Sequence, residues 1–494
     1  MSYPPVVVID GRTEDPVGVL LGALGPDNEN PEQTVELCDV DLDLTGHTGI
    51  DIRDNRSLIA SPSCERSARA LGPRIFVTDE RGRAPLFVIR GDNVLVSGFR
   101  LEGPTDYIGQ GDRKEKGIVV SPHATDGEGN ALPPIRNVEI SNMEIFHWSG
   151  VGVQVQDDVR KGDTRGRGRL FNTNPAAVCV TGNYIHHNRH GAGEGYGVNS
   201  TAGAYVTIER NVFDENRHAI AGGSSKHPDA EDYSGYTARD NLILAGCGLH
   251  CLDSPATGAA IGGIIGGVIG GVIGGLFGGL AGAAIGAGIG AGVGAGAGAI
   301  AGSTICWHTH QIDMHGTKST LLSEYCCGTA GETIIIERNT ILYTKGKAIK
   351  IRGNPVDKAV VDGNVFKHKS RGDAIAQNGE PGWGDNITNP IDVRPNNVFD
   401  CGDITTELGQ GDFAGDGQQD DFMTTGVTWW ARSPTTGQWR YLNTMKEQLP
   451  ELQLAKIDDD AIFDVAPRTR HPETLPEKYS KSGTSPWLSP VIHP

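Results

Sequence analysis

At 494 residues the chain has room for two or three domains, or for one elongated repeat fold with an appendage. Its 43 basic and 61 acidic residues leave a formal charge of −18, which argues against a nucleic-acid partner, because that would need a basic stripe to displace counterions. Glycine, with 70 residues, is about twice its usual share, and an acidic, glycine-rich chain suits soluble secreted proteins and calcium-binding loops.

The N-terminus MSYPPVVVIDG has neither a basic n-region nor an apolar h-region, so no signal peptide is expected in it. Residues 1–90, with CDVDLDLTG and PLFVIRGD, read as an N-terminal cap and the first coils of a repeat fold. From about residue 90 one short phrase returns: NVLVSGFRL, NVEISNMEIFH, NYIHHN, NVFDEN, NLIL, NTILY and NVFKH. Each alternates apolar and polar residues over four to six positions, the period of a strand, and second strands such as VGVQV, YVTIE, TIIIE and AIKIRG recur among them. Asn183, Asn211 and Asn241 are 28 and 30 residues apart, and Asn339 and Asn364 are 25 apart. Short strands at this period without intervening helices predict an all-β parallel β-helix over 91–256, continued over 304–400, with Val and Ile filling the inside. The recurring asparagines read as structural: at a turn they bond the next coil and tolerate left-handed geometry.

Residues 257–303 break the pattern. From Gly258 to Gly302 glycine occupies every fourth position, and no charge lies between Asp253 and His308. As helix this is a glycine zipper that would associate with a membrane or with itself; a glycine-rich loop and a β or polyproline packing are the other readings. In each case it is an insertion into a solenoid turn, a place that tolerates extra chain.

Directly after it comes HTHQIDMHG, residues 308–316. As a strand, Ile312 and Met314 point inward and leave Asp313 and His315 side by side outside, while His308 and His310 fall in the preceding turn. Four ligands on one transition metal would need a bend in the segment. In AIKIRG the same alternation turns Lys350 and Arg352 outward, one to two coils away from Asp313. A carboxylate–imidazole pair beside Lys and Arg suits acidic-sugar chemistry, with Arg neutralising a uronate and Lys or His moving the proton. His218 and His190, from earlier coils, are expected to line the same groove. The bland reading is that these residues merely solvate an outer face.

The C-terminal region, 401–494, has GDFAGDGQQDD, which sets Asp412, Asp416 and Asp420 four apart around two glycines, a donor set for calcium, although Ala414 stands at the usual third position. A second loop, KIDDDAIFD, keeps Asp458, Asp460 and Asp464 but starts with Lys456 and lacks glycine. Nine cysteines include no C-x-x-C pair, and Cys247 with Cys251 has no second pair to complete a zinc site. Cys306 with Cys326 or Cys327 could staple the loop after HTHQIDMHG. The odd total leaves at least one thiol free or paired between chains.

The segments ELCDVDLDLTG, YIHHNRHGAGEGYGV, ERNVFDENRHAIAG, THQIDMHG, GTAGETIIIERNTILYT and GDFAGDGQQDDFMTTGVTWW resemble bacterial secreted proteins that join a right-handed, pectate-lyase-like parallel β-helix to an FG-GAP/VCBS-type repeat. The glycine run is outside that pattern, and polygalacturonase, pectate-lyase and alginate-epimerase signatures are missing. The resemblance implies a right-handed β-helix, a small calcium-loop β domain, an extracellular or cell-surface location and a polysaccharide ligand. Three functions are compatible with these features. One is a lyase or glycoside hydrolase acting on an acidic glycan through Asp313, His315, Lys350, Arg352 and His218. The others are a non-catalytic glycan-binding or self-assembling surface protein and a membrane-inserting protein that uses residues 258–302.

Overall fold

The structure, a computed structural model, describes residues 5–25, 28–61, 64, 72–80, 82–104, 114–122, 132–133, 135–156, 174–175, 177–190, 194–223, 234–244, 310–316, 329–343, 346–378, 387–400, 408–413, 418–425, 427–433, 439–443, 452–455 and 464–467. Three parallel sheets of eleven, ten and nine strands run its length. The chain visits them in a fixed cycle. Val178–Thr181, Tyr184–His186 and Tyr196–Thr201 make one coil, and Tyr205–Glu209, Val212–Asp214 and His218–Gly223 lie on the next. Every strand pairs in parallel with its counterpart one coil away, so the molecule is a parallel β-helix solenoid. The helix Pro16–Leu24, N-capped by Asp15, buries Leu20, Ala23 and Leu24 in the same core.

Branched aliphatic residues stack coil upon coil inside: Ile118, Val153, Val198, Ile220, Ile312 and Ile349 form one such column. Gly222 is fitted to this packing, because a Cβ there would lie 2.4 Å from the Met314 methyl on the neighbouring strand.

A ladder of buried asparagine amides lines one corner. Asn183 Nδ2 donates to Asn211 Oδ1 at 2.9 Å, Asn211 to Asn241 at 3.1 Å, Asn241 to Asn339 at 2.9 Å and Asn339 to Asn364 at 2.9 Å. Each Nδ2 also donates to a backbone carbonyl; the Oδ1 atoms of Asn211, Asn241, Asn339 and Asn364 accept the backbone N–H of the asparagine before them, and Asn183 Oδ1 accepts that of Met143. The left-handed geometry expected of these residues belongs instead to the position before each: Gly182, Arg210, Asp240, Arg338 and Gly363 have φ between 53° and 65°. The two tasks separate because a buried amide fixed by three hydrogen bonds needs a defined rotamer, and the turn before it needs only backbone.

The coil series continues past the glycine run. Gly235–Arg239 pairs with Thr333–Glu337, Leu242–Ile243 with Thr340–Ile341, and Ile220 with Ile312. Residues 258–302 themselves lie outside the described residues, as do Cys306, Cys326 and Cys327. No described helix is long and apolar enough to cross a membrane. A disulfide absent from the sequence reading joins Cys38 to Cys64.

At the C-terminal end Leu408–Gly411, Asp420–Thr424, Trp429–Arg432 and Trp439–Asn443 form a four-stranded antiparallel sheet. It docks on the outer face of the ten-stranded sheet, where Met423 and Trp430 pack with Val212 and Leu242, and the Arg210 guanidinium lies 5.3 Å from the centroid of the Tyr441 ring.

Candidate active site

HTHQIDMHG supplies Ile312–Met314, the third strand from the C-terminal end of the nine-stranded sheet. Ile312 and Met314 are core residues, as the alternation predicts, and Asp313 points the other way. The solvent-facing position expected for Asp313 needs correction: its side chain is 0% exposed, because His310, His315 and Arg352 close over it. His310 Nε2 lies 2.9 Å and Arg352 Nε 3.1 Å from Asp313 Oδ1, and His315 Nε2 lies 2.7 Å from Oδ2. Below, the buried Tyr236 hydroxyl donates to the Asp313 carbonyl at 3.0 Å and fixes the strand from inside the coil. Burial would push the Asp313 carboxyl up. The charges and hydrogen bonds of His310 and His315 outweigh it and hold the group well below the usual range.

Lys350 is in direct register with Asp313, one coil on, and is half-buried. It has no ion-pair partner among the described residues, whereas Arg352 is engaged with Asp313 and its Nη2 lies 2.8 Å from His310 Nε2. His218, from the coil before, stacks on this group with its ring 4.5 Å from that of His310. Its Nδ1 donates to the His310 carbonyl at 2.5 Å, and its Nε2 accepts from Arg217 Nη1 at 2.9 Å. Thus five of the six residues expected in the groove, Asp313, His315, Lys350, Arg352 and His218, lie on three consecutive coils. His190 is buried elsewhere at a coil corner, and His308 lies outside the described residues.

Three further residues belong to the site. His310, read from sequence as a turn residue, contacts both Asp313 and Arg352; the H-x-x-D spacing was its signal. Tyr196 stacks on His218 at 5.4 Å, and burial pushes its phenol up to about 12, with Asp313 and Arg217 among the charges it feels. Arg217 sets the His218 tautomer. Neither Tyr196 nor Arg217 carries a sequence signal, because both reach the site through coil register alone.

The histidines differ in exposure and therefore in chemistry. Burial pushes His218 well below its ordinary value and lowers His310, so both imidazoles are neutral near neutral pH. His310 Nε2 faces a donor and an acceptor at once: protonated it donates to Asp313, deprotonated it accepts from Arg352. His315, 37% exposed, sits at the mouth with Nε2 against Asp313, which leaves the lone pair of its neutral form on Nδ1.

Ligating atoms of His218, His310 and Asp313 lie within 4.8 Å of one another, a spacing that could hold a metal ion. The guanidinium of Arg352 touches two of these groups and that of Arg217 the third, so arginine already supplies the positive charge a cation would bring. In the C-terminal sheet Asp412 and Asp420 are buried, and Asp420 Oδ2 accepts the Phe413 N–H at 2.8 Å. Asp416, Asp458 and Asp460 lie outside the described residues, and Asp464 opens the strand Asp464–Pro467.

Neither a protein-family model, nor a curated protein, nor a solved structure matches this chain.

Proposed function

We propose that the protein is an extracellular enzyme that cleaves an acidic polysaccharide, and that it does so by β-elimination. The observation that carries this reading is a partly exposed imidazole, His315, placed against a buried ionised carboxylate and beside Lys350, a cation with no ion-pair partner among the described residues. Hydrolysis by paired carboxyl groups needs a second carboxyl and one acid with a raised pKa. Asp313 is held ionised, and its side-chain contacts are imidazoles and a guanidinium.

In the proposed reaction Lys350 pairs with the uronate carboxylate and stabilises the charge that builds as the α-proton leaves. His315 Nδ1 takes that proton. The C–H electron pair forms a C=C bond, the bond to the glycosidic oxygen breaks, and the Tyr196 phenol, kept protonated by its burial, supplies the proton for the departing oxygen. Both groups then exchange with solvent, and no water enters the product. The Cys38–Cys64 disulfide supports an oxidising, extracellular setting.

The test is a screen of the whole chain against anionic polysaccharides, read as ultraviolet absorbance of the unsaturated product. Wild type should produce it, and His315→Gln should lower the rate by roughly 10²–10⁴-fold, the range of one general base. Binding without product would make the groove a non-catalytic glycan ledge. We also propose calcium at the Asp412, Asp416 and Asp420 loop. Chelation should lower the melting temperature of wild type and leave that of Asp412→Asn/Asp416→Asn unchanged.

A further inference from the structure

The strand registers extend the site into a track along the solenoid axis. Outward from the nine-stranded sheet, Gln154 pairs with Asn199 and Asn199 with Ala221; alongside, Gln156 pairs with Thr201, Thr201 with Gly223, and Gly223 bridges to His315. Beyond Asp313 and His315 come Lys350 and Arg352, and then Ala376 against Lys350. Successive coils are about 4.8 Å apart, a spacing close to the rise of one sugar along an extended glycan.

Three features of this track point to its ligand. Gly223 is a notch: a Cβ there would meet only Thr201 Oγ1 at 3.7 Å and the His315 Cβ at 4.0 Å, so one small group fits between them beside the proposed base. Asn199 and Thr201 are half-buried, and neither side chain has a hydrogen-bond partner among the described residues, so an uncharged donor–acceptor pair faces the track. Gln154 and Gln156 extend that neutral stretch, with Gln154 Nε2 donating to Gln156 Oε1 at 2.6 Å. Among the described residues in these registers, by contrast, the cations are Lys350 and Arg352, both on one coil; Arg352 is engaged with Asp313, and Arg217, ahead of the track, is engaged with His218.

We infer that the groove accepts a heteropolysaccharide in which a uronate seated at Lys350 is combined with a neutral sugar three coils away, over Asn199 and Thr201. This inference rests on the proposed elimination and names its substrate class. A polyuronate homopolymer would also lay a carboxylate over Asn199 and Thr201, three coils from Lys350, where it loses hydration and meets an amide and a hydroxyl instead of a cation. Neutral sugar hydroxyls, with both donor and acceptor capacity, match those groups.

The experiment compares kcat/KM on a glycan alternating uronate with neutral sugar and on a uronate homopolymer, for wild type, Asn199→Ala/Thr201→Ala and Asn199→Lys. Wild type should prefer the alternating glycan by on the order of tenfold, the scale of one lost charged-group hydrogen bond. The double variant should lose that preference at an unchanged melting temperature, and Asn199→Lys should move it toward the homopolymer. Equal or better turnover of the homopolymer by wild type, or a preference untouched in both variants, overturns the inference and leaves the elimination intact. Failure of both glycans to bind or react overturns both.

Discussion

Two outer faces of the same solenoid carry the same residue types and put them to different ends. On the ten-stranded sheet Arg74 is held between Asp41 and Glu102, Arg100 pairs with Glu144 at 2.7 Å, and His186 approaches the same Glu144 at 3.2 Å while stacking on Phe146 and Tyr184. These are stacked, mutually compensated pairs, and the C-terminal sheet covers the face just beyond them. On the nine-stranded sheet one buried carboxylate is shared by two imidazoles and a guanidinium, His310 Nε2 faces a donor and an acceptor, and Lys350 has no ion-pair partner among the described residues. The difference lies in closure. A saturated network stiffens the coil, and an unsaturated one has protons and charge to offer a ligand.

The largest effect that separates the faces should come from the carboxylates at their centres. Asp313→Ala leaves Arg352 buried without its counter-ion and should cost roughly 3–5 kcal/mol in denaturant unfolding, together with all turnover. Glu144→Ala should also destabilise, through Arg100 and His186, and the folded fraction should keep wild-type kcat/KM. Loss of activity in both variants at equal folded fraction would erase the distinction.

Next in size is the imidazole comparison: His315→Gln should lower turnover by roughly 10²–10⁴-fold with little change in melting temperature, and His186→Gln should lower the melting temperature with little change in turnover. Acid offers a smaller test with a definite sign. Burial lowers His218 and His310, and takes His187 to about 3, so the unfolded chain binds protons there before the folded one does. Their contribution is therefore present above the unfolded value of about 6.5 and is lost progressively as pH falls below it. Asp214 has the opposite sign. Burial beneath the C-terminal sheet, with Glu215 adding to it against Arg189 and Arg432, raises it to about 7, so its stabilisation is lost as pH rises through about 7. Asp214→Asn should raise the melting temperature above pH ~7 and matter little below the ordinary carboxylate value of ~4. The smallest effect is expected from excising residues 258–302. Strands on both sides pair without them, so thermal unfolding should change by about 1 kcal/mol or less, while flotation with liposomes would reveal whether the segment associates with membranes.

Much of the fold was legible because strand periodicity and a recurring asparagine are local signals, and both survive in the pairings of Asn183, Asn211 and Asn241. The site was legible in part. Asp313, Lys350 and Arg352 could be placed on one face by alternation alone, but the burial of Asp313 could not, since it depends on His310 and His315 folding over it. Tyr196 and Arg217 were invisible because only the coil register, a long-range property, brings them to His218. The histidine-rich phrases NYIHHN and HTHQIDMHG look alike as text; their partners, spread over neighbouring coils, make one a set of compensated pairs and the other the cluster proposed as catalytic. The Cys38–Cys64 pair was equally hidden, because spacing does not determine connectivity.

The asparagine ladder has a kinetic corollary. Most of its rungs join residues 25 to 30 apart, but the rung from Asn241 to Asn339 spans 98. Closing that longer loop costs about 1 kcal/mol more entropy than closing its neighbours, so a solenoid that zips coil by coil should pause there. His218 stands on one side of this seam, with His310, Asp313 and Lys350 on the other. The cluster proposed as catalytic is thus completed only when the two blocks of coils dock, so the proposed activity would read out finished assembly.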